Sequence, residues 1–431
     1  MHITKEAAHI IRTLESNGFE AFVVGGCVRD LLRGKIPKDW DITTAATPTQ
    51  VKNLFPRTFD TGIQHGTITV LENHQPFEVT TYRIDGLYTD ARRPDAVTFT
   101  PHLTEDLSRR DFTVNAIAYN PQTGFADPFN GQADIKNKTI RCVGEPAHRF
   151  LEDALRMLRA VRFAATLGYA IEPATLSAIT AQHKNLLHIS AERINQELTR
   201  LINGINPQAL TLLETTGLMP HILQGVPYPG NLSQTITALE KCIRQVTHFL
   251  PINGWEGTAP TDKSLLALTL FFAPFNHNGN TPTPLENTLR ALRYDNKTIQ
   301  ALSLYTSRLP HPIPADPYAI KKHLRQMPQA SAQVFFNNLL TLQQITNTSD
   351  PAHLATLRQI NQQIHANNEC YTLKNLAING KDLAAAGIPS GKVMGDMLEK
   401  LLDTVMREPG LNVKEILLQR LHRRKENNIP D

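Results

Sequence analysis

The sequence predicts an α/β head with a mixed or antiparallel sheet, followed by an all-helical remainder. Three observations predict it. Short β-prone and helical stretches alternate over the first ~140 residues. Within them Gly25-Gly26 separates an apolar β-prone run from a helical one, and Asp39-Trp40-Asp41 opens the next β-prone run. After a strand-like stretch at 139–143, apolar residues recur at helical spacing and strand signals cease.

Residues 4–17 read as a helix stopped by Gly18, 20–24 as a strand, 27–33 as a helix of about two turns and 40–43 as a strand. Another helix starts after Thr47, with Pro48 at the first position, where its missing N–H is not needed. Residues 66–72 and 76–82 alternate apolar and polar, as a hairpin does. Residues 83–97 are charged and aperiodic, a mobile loop with Arg92-Arg93-Pro94 near its end. A helix is expected to start at Phe112. The run 151–167 places apolar groups at 151, 154, 155, 158, 161 and 165, one helical stripe. Further helices are expected at 173–183, 191–203, 207–215, 233–249, 262–273, 285–308, 317–346, 351–366, 380–386, 391–407 and 413–424. Pro/Gly/Asn-rich loops fall at 251–261, 274–284 and 309–317.

A chain of 431 residues supports about three domains or a string of helical modules. Lys plus Arg number 44 against 40 Asp plus Glu, and a net charge of +4 permits a polyanionic partner without demanding one. Four scattered cysteines without CxxC spacing read as reduced thiols, not as a disulfide frame or zinc site. The amino end shows no signal-peptide pattern, and no apolar run reaches the roughly 18 residues of a membrane span. The expectation is a cytoplasmic protein without a membrane partner.

The chemistry is concentrated early. A Gly-Gly turn from strand to helix lets backbone N–H groups approach a phosphate at the positive helix end, and Arg29 adds a side-chain donor. On a strand, Asp39 and Asp41 would share one face, roughly 6.5–7 Å apart. That span suits two oxygen-loving cations about 3.5–4 Å apart, the arrangement used for in-line phosphoryl chemistry. Either piece alone reads as a turn or as solvated acids; the ordered pair outlines a metal-dependent nucleotidyl-transfer site. Glu78, between Phe77 and Val79, is either a third acidic group beside the metals or an outward strand residue. Arg109 and Arg110, placed at a helix start, suit triphosphate or ribose contact, or else are solvated charges. Arg156, Arg159 and Arg162 recur every third residue as a slanted stripe. Read alone, Asp153 and Arg156 form an intrahelical pair worth about 0.2–0.5 kcal/mol. The helix at Glu192–Glu197, capped by Ser190, reads as a brace for that stripe.

Together GGCVRD, DWD, FEVTTYR, SRRDFTVNA, EDALRMLRAVRF and ERINQEL resemble bacterial class II tRNA nucleotidyltransferases, the CCA-adding enzymes, whose sister poly(A) polymerases share most of these motifs. The resemblance covers the first 205 residues densely and returns at 376–402, similar to the tail of the shorter CCA-adding type. It implies a nucleotidyltransferase palm at 1–142, a helical neck at 143–206 that reads the base, a helical body at 207–313 and a tRNA-binding tail at 314–431. It implies that Asp39 and Asp41 bind Mg²⁺, two ions being expected; Glu78 as a further catalytic acid comes from the strand reading above, not from the resemblance. Gly25, Gly26 and Arg29 would meet phosphate, Arg110 the incoming nucleotide, Asp153 and Arg156 the base, and Arg159 and Arg162 other parts of the nucleotide. Segment 83–97 matches the loop used in changing from C to A addition, which argues against a CC-only enzyme. The substrates implied are CTP, ATP and tRNA; a homodimer is allowed but not required. Terminal-A-only addition, poly(A) synthesis and a non-catalytic RNA- or nucleotide-binding protein are the alternatives.

The base assignment has its own logic. Cytosine and adenine present an amino donor beside a ring-nitrogen acceptor, whereas uracil and guanine present the reverse order. A carboxylate that accepts and a guanidinium that donates therefore match C and A with one geometry. Such a paired contact discriminates by roughly 1–3 kcal/mol on duplex precedents. In the body and tail, Gly380, Gly387 and Gly391 read as helix stops or as places where RNA backbone could come close. The basic run at Arg420 and 422–425 reads as a solvated helix end.

Overall fold

The computed structural model describes residues 2–86, 97–245, 262–276, 284–328 and 331–426. It divides into two compact units, Met1–Leu232 with Thr288–Tyr294, and Ser233–Asn287 with Asp295–Asp431.

The first unit opens with α1 (Lys5–Ser16), capped by the Thr4 hydroxyl and closed where Gly18 takes φ +83°. Then come β1 (Ala21–Val24), α2 (Gly26–Leu32), β2 (Asp41–Thr44), α3 (Pro48–Leu54), β3 (Thr58–Gly62), β4 (Thr67–Glu72) and β5 (Gln75–Thr81). A separate antiparallel pair, β6 (Arg83–Asp85) and β7 (Val97–Phe99), follows, then α4 (Leu103–Ser108), β8 (Ala118–Asn120), β9 (Gly124–Ala126), α5 (Gly131–Lys136) and β10 (Thr139–Ile140). The main sheet has the order β3-β4-β5-β2-β1-β8-β9. It is mixed: β2 and β5 run parallel, and its other neighbours are antiparallel. The predicted hairpin is β4-β5. One face packs Phe22, Val24, Tyr82, Leu103, Leu107 and Val143 into a core.

The helical part of this unit comprises α6 (Pro146–Glu152), α7 (Leu155–Leu167), β11 (Ala170–Ile171) paired to β10, α8 (Pro173–Gln182), α9 (Ala191–Ile202), α10 (Thr211–Thr215) and α11 (Met219–Ile222). The second unit contains α12 (Leu232–Gln245), which begins at the boundary residue, α13 (Asp262–Phe272), α14 (Pro284–Ala291), shared at its end with the first, and α15 (Asn296–Arg308). They are followed by α16 (Pro317–Arg325), α17 (Ala332–Ile345), α18 (Pro351–Ala366), α19 (Gly380–Ala385), α20 (Lys392–Arg407) and α21 (Lys414–Glu426). Its carboxyl portion packs around Leu376, Leu383, Leu402, Val405 and Leu417. Gly387 and Gly391 have positive φ, and Gly391 caps α20. No helix among the described residues is long and apolar enough to cross a membrane, and all four cysteines are buried and free.

Several expectations need correction. Residues 83–85 and 97 are strand, not loop; 87–96, with Arg92 and Arg93, lie outside the described residues. The single helix at 285–308 is α14 and α15, because Arg293 turns at φ +60° and Asp295 caps a new helix through Thr298 N–H. The helix at 317–346 is α16 and α17, interrupted before Pro328, whose ring cannot sit inside a helix. The strand at 139–143 is confined to Thr139–Ile140, with one bridge from Cys142 to Phe112.

Candidate active site

Strand β1 is antiparallel to both β2 and β8, with Val23 opposite Ile42 and Val24 opposite Ala118. The end of β1 and the starts of β2 and β8 therefore share one sheet edge. Gly25 leaves β1 there at φ +77°, its N–H bonded to the Ile117 carbonyl at 3.1 Å, and α2 starts at Gly26. A Cβ on Gly25 would stand 3.0 Å from Arg110 Nη1. Gly25→Ala should thus lower stability by about 1–3 kcal/mol and displace Arg110. A thermal melt alongside nucleotide titration checks it, and unchanged values in both would contradict this reading.

Asp41 is the first residue of β2, and parallel register sets it directly beside Glu78 on β5. Burial raises the Asp41 carboxyl above its ordinary value, Arg110 opposes this, and Glu78 and Asp39 add to it. Asp39 does not lie on the strand but in the bend before it, exposed, so a shared strand face is not what brings the two aspartates together. Among the described residues no three His, Cys, Asp or Glu side chains form a metal cage. Magnesium is commonly held by one or two carboxylates plus substrate phosphates, keeping several waters. Asp41 with its acidic neighbours fits that mode.

Beside this edge opens a cavity of about 820 Å³. Its lining includes Gly25, Gly26, Arg29, Asp41, Arg110, Asp153, Arg156, Arg159 and Arg162, so the structure gathers every predicted nucleotide-contact residue into one place. Glu78 and Asp39 are not in the lining. Among the described residues that line it, nine are arginines against three aspartates. Such a surplus of positive charge in a recess suits a triphosphate.

Each guanidinium is held from behind. Arg29 donates to Asn115 Oδ1 at 2.7 Å and to Asp30. Asn115 in turn donates to Asp111, whose other oxygen takes two N–H bonds from Arg159 at 2.6 and 2.9 Å. Burial alone would raise the Asp111 carboxyl, but Arg159, Asn115 and Arg156 hold it far below the carboxylate range. Arg162 donates to Glu197 at 2.7 Å, confirming α9 as a brace for α7. It also lies 3.5 Å from the Phe163 ring centre, with Arg29 and Arg159 near 5.5 Å from the same ring. Since Glu197 is only 4% exposed, Glu197→Ala would leave Arg162 buried and unpaired, costing about 3–5 kcal/mol. A drop in the melting temperature checks this; an unchanged melt would contradict the bracing role.

Two details depart from the sequence reading. Arg109 and Arg110 follow the carboxyl end of α4 instead of starting a helix; only one 3-10 turn, Thr113–Asn115, comes after them. Both are clamped by Asp106, which is fully buried, at 2.7 and 3.2 Å. Nor do Asp153 and Arg156 pair within one helix. The chain is extended at Asp153 (φ −143°, ψ 103°), between α6 and α7. Asp153 receives a two-pronged contact from Arg193 at 2.7 and 3.2 Å, while Arg156 donates to Glu152 at 2.6 Å and to the Arg109 carbonyl. The carboxylate and the guanidinium thus reach the cavity separately oriented. Sequence reasoning missed Asp106, Asp111, Phe163 and Arg193. The i, i+3 and i, i+4 spacing of Asp106 to Arg109 and Arg110 was the available signal for the first.

The Poly A polymerase head domain model matches residues 21–141, and a tRNA nucleotidyltransferase domain 2 model matches residues 262–421. A CCA-adding enzyme of Levilactobacillus brevis is 37% identical over 93% of this chain and 94% of its own length. The chain belongs to the CCA-adding enzyme family. Another member, from Enterococcus faecalis, is 36% identical over 96% of this chain and 94% of its own. The crystal structure of the Bacillus stearothermophilus CCA-adding enzyme in complex with CTP is 32% identical, covers 99% of both chains and superposes with a TM-score of 0.75. The family is that of the motif resemblance, and the mixed-sheet head followed by helices is its fold.

Proposed function

We infer that this chain builds and repairs the CCA end of tRNA, adding C, C and A from CTP and ATP without a nucleic-acid template and releasing pyrophosphate. The observation that carries the reading is the meeting, in one arginine-lined cavity, of Asp41 at the sheet edge with Asp153 and Arg156 from the α6–α7 junction. Membership of the CCA-adding family supports the same product.

Gly25 and Gly26 let the triphosphate approach backbone, and Arg29, Arg110, Arg159 and Arg162 neutralise it and hold its α-phosphate in line with the RNA 3′-hydroxyl. That oxygen bonds to phosphorus as its proton passes to water and the bond to pyrophosphate breaks. Asp39 and Asp41 would hold Mg²⁺, which would lower the pKa of the hydroxyl and polarise the α-phosphate; Glu78 stands beside Asp41 as a further carboxylate. Asp153 accepts from the amino group of C or A, and Arg156 donates to the adjacent ring nitrogen. Arg193 on Asp153, and Glu152 on Arg156, restrain the two groups, which supports this reading. The head and neck do the chemistry, the body and tail hold the RNA, and the enzyme works in the cytoplasm.

A tRNA transcript lacking CCA, incubated with labelled CTP, ATP or both, decides the product on one sequencing gel. Two C additions followed by one A are expected. Addition of A alone or a long A ladder would overturn the product, and no extension would overturn the enzyme.

A further inference from the structure

A second polar recess lies wholly within the second unit, between α17 and α18. It measures about 600 Å³, and among the described residues every side chain lining it is an amide, a hydroxyl or a guanidinium. Asn337, Thr341 and Gln344 face it from α17, at i, i+4 and i+7, and Arg358 and Asn361 face it from α18. Packed helices normally meet through apolar stripes, so a polar seam of this size calls for a reason.

The polar groups are incompletely satisfied. Asn338 and Asn361 are 2% and 1% exposed, yet Asn338 Nδ2 and Asn361 Oδ1 have no hydrogen-bond partner among the described residues. The other end of the Asn361 amide is fixed, its Nδ2 donating to Asn337 Oδ1 at 3.1 Å. Arg358 donates to Gln344 Oε1 at 3.2 Å and reaches Thr341 Oγ1 at 3.5 Å. No carboxylate among the described residues stands against it, and burial pulls its guanidinium below the ordinary value. Buried polar atoms without partners are costly, and a half-buried cation without a counter-ion adds to that cost.

We propose that this amide-lined recess takes one nucleotide unit of the RNA substrate, with Arg358 on a phosphodiester and the buried Asn338 and Asn361 amides on base or ribose groups. The anion follows from Arg358. A phosphodiester carries no O–H and offers only acceptors, so by itself it would leave Asn361 Oδ1 unmatched. A nucleotide offers donors and acceptors together, and so meets both orphaned atoms. The inference rests on the tRNA substrate proposed above; its failure would leave CCA incorporation intact, whereas failure of that reading would leave no CCA incorporation.

The test uses the full chain and a tRNA transcript lacking CCA. Arg358→Ala is expected to weaken tRNA binding about tenfold and to reduce the salt-dependence slope by about one. Unchanged affinity and slope in a variant that melts like the parent would overturn the proposal. Modification of Arg358 by phenylglyoxal in the unaltered protein, read by mass spectrometry, needs no variant. The tRNA should protect Arg358, and inorganic phosphate at the same phosphate concentration should not. No protection by tRNA would remove the site, and equal protection by inorganic phosphate would reassign it to a free anion.

Discussion

Replacing Asp41 by alanine is expected to slow CTP and ATP incorporation by on the order of a thousandfold, since several kcal/mol of transition-state stabilisation is lost. Binding of tRNA should persist. Asp39→Ala should behave similarly; lost RNA binding with incorporation retained would contradict the metal role of either residue. Asp41 also allows a test without turnover. Its carboxyl is raised by burial and by Glu78 and Asp39, so at neutral pH the cation-free fold holds a charge that the unfolded chain tolerates better. As pH falls through the raised value, the folded state gains a proton before the unfolded state does, and that penalty disappears. Asp41→Asn should therefore raise the melting temperature of the cation-free protein at neutral pH while abolishing incorporation. The difference in melting should vanish in acid, below the range where Asp41 ionises.

The second large effect is on base choice. Asp153→Ala should narrow the preference for C and A over U and G by roughly 1–3 kcal/mol, about 5- to 150-fold. Asp153 holds a two-pronged contact with Arg193, so the variant frees a guanidinium where an acceptor stood. UTP and GTP, which present a carbonyl acceptor there, should gain incorporation while CTP and ATP lose it. Misincorporation rates measured one nucleotide at a time check this; unaltered selectivity would mean that another pair reads the base.

Much of the head was legible because its signals are local. Alternation marked β4 and β5, Pro48 marked the start of α3, and Gly18 ended α1. The ordered motifs brought the site residues to light without any knowledge of packing. What stayed hidden depends on distant partners. Nothing in EDALRM breaks a helix, yet the chain is extended at Asp153, whose carboxylate meets Arg193 forty residues away. Asp39 sits outside β2, because pairing with β1 and β5 starts only at Asp41 and Ile42. Asp106 gave no sign of burial in a six-residue helix; its place is fixed by Arg109 and Arg110 together with the Thr43 hydroxyl from β2. The breaks at Arg293 and before Pro328 had visible signs, a capping Asp295 and the proline, which a long apolar rhythm obscured.

The central claim is that protein side chains alone, with no nucleic acid present, choose the nucleotide. Equilibrium binding of CTP, ATP, UTP and GTP to the RNA-free protein in Mg²⁺ tests it most directly. CTP and ATP should bind at least about tenfold tighter than UTP and GTP, and Asp153→Ala should erase the gap. Equal affinity for all four nucleotides in the unaltered protein would contradict the account.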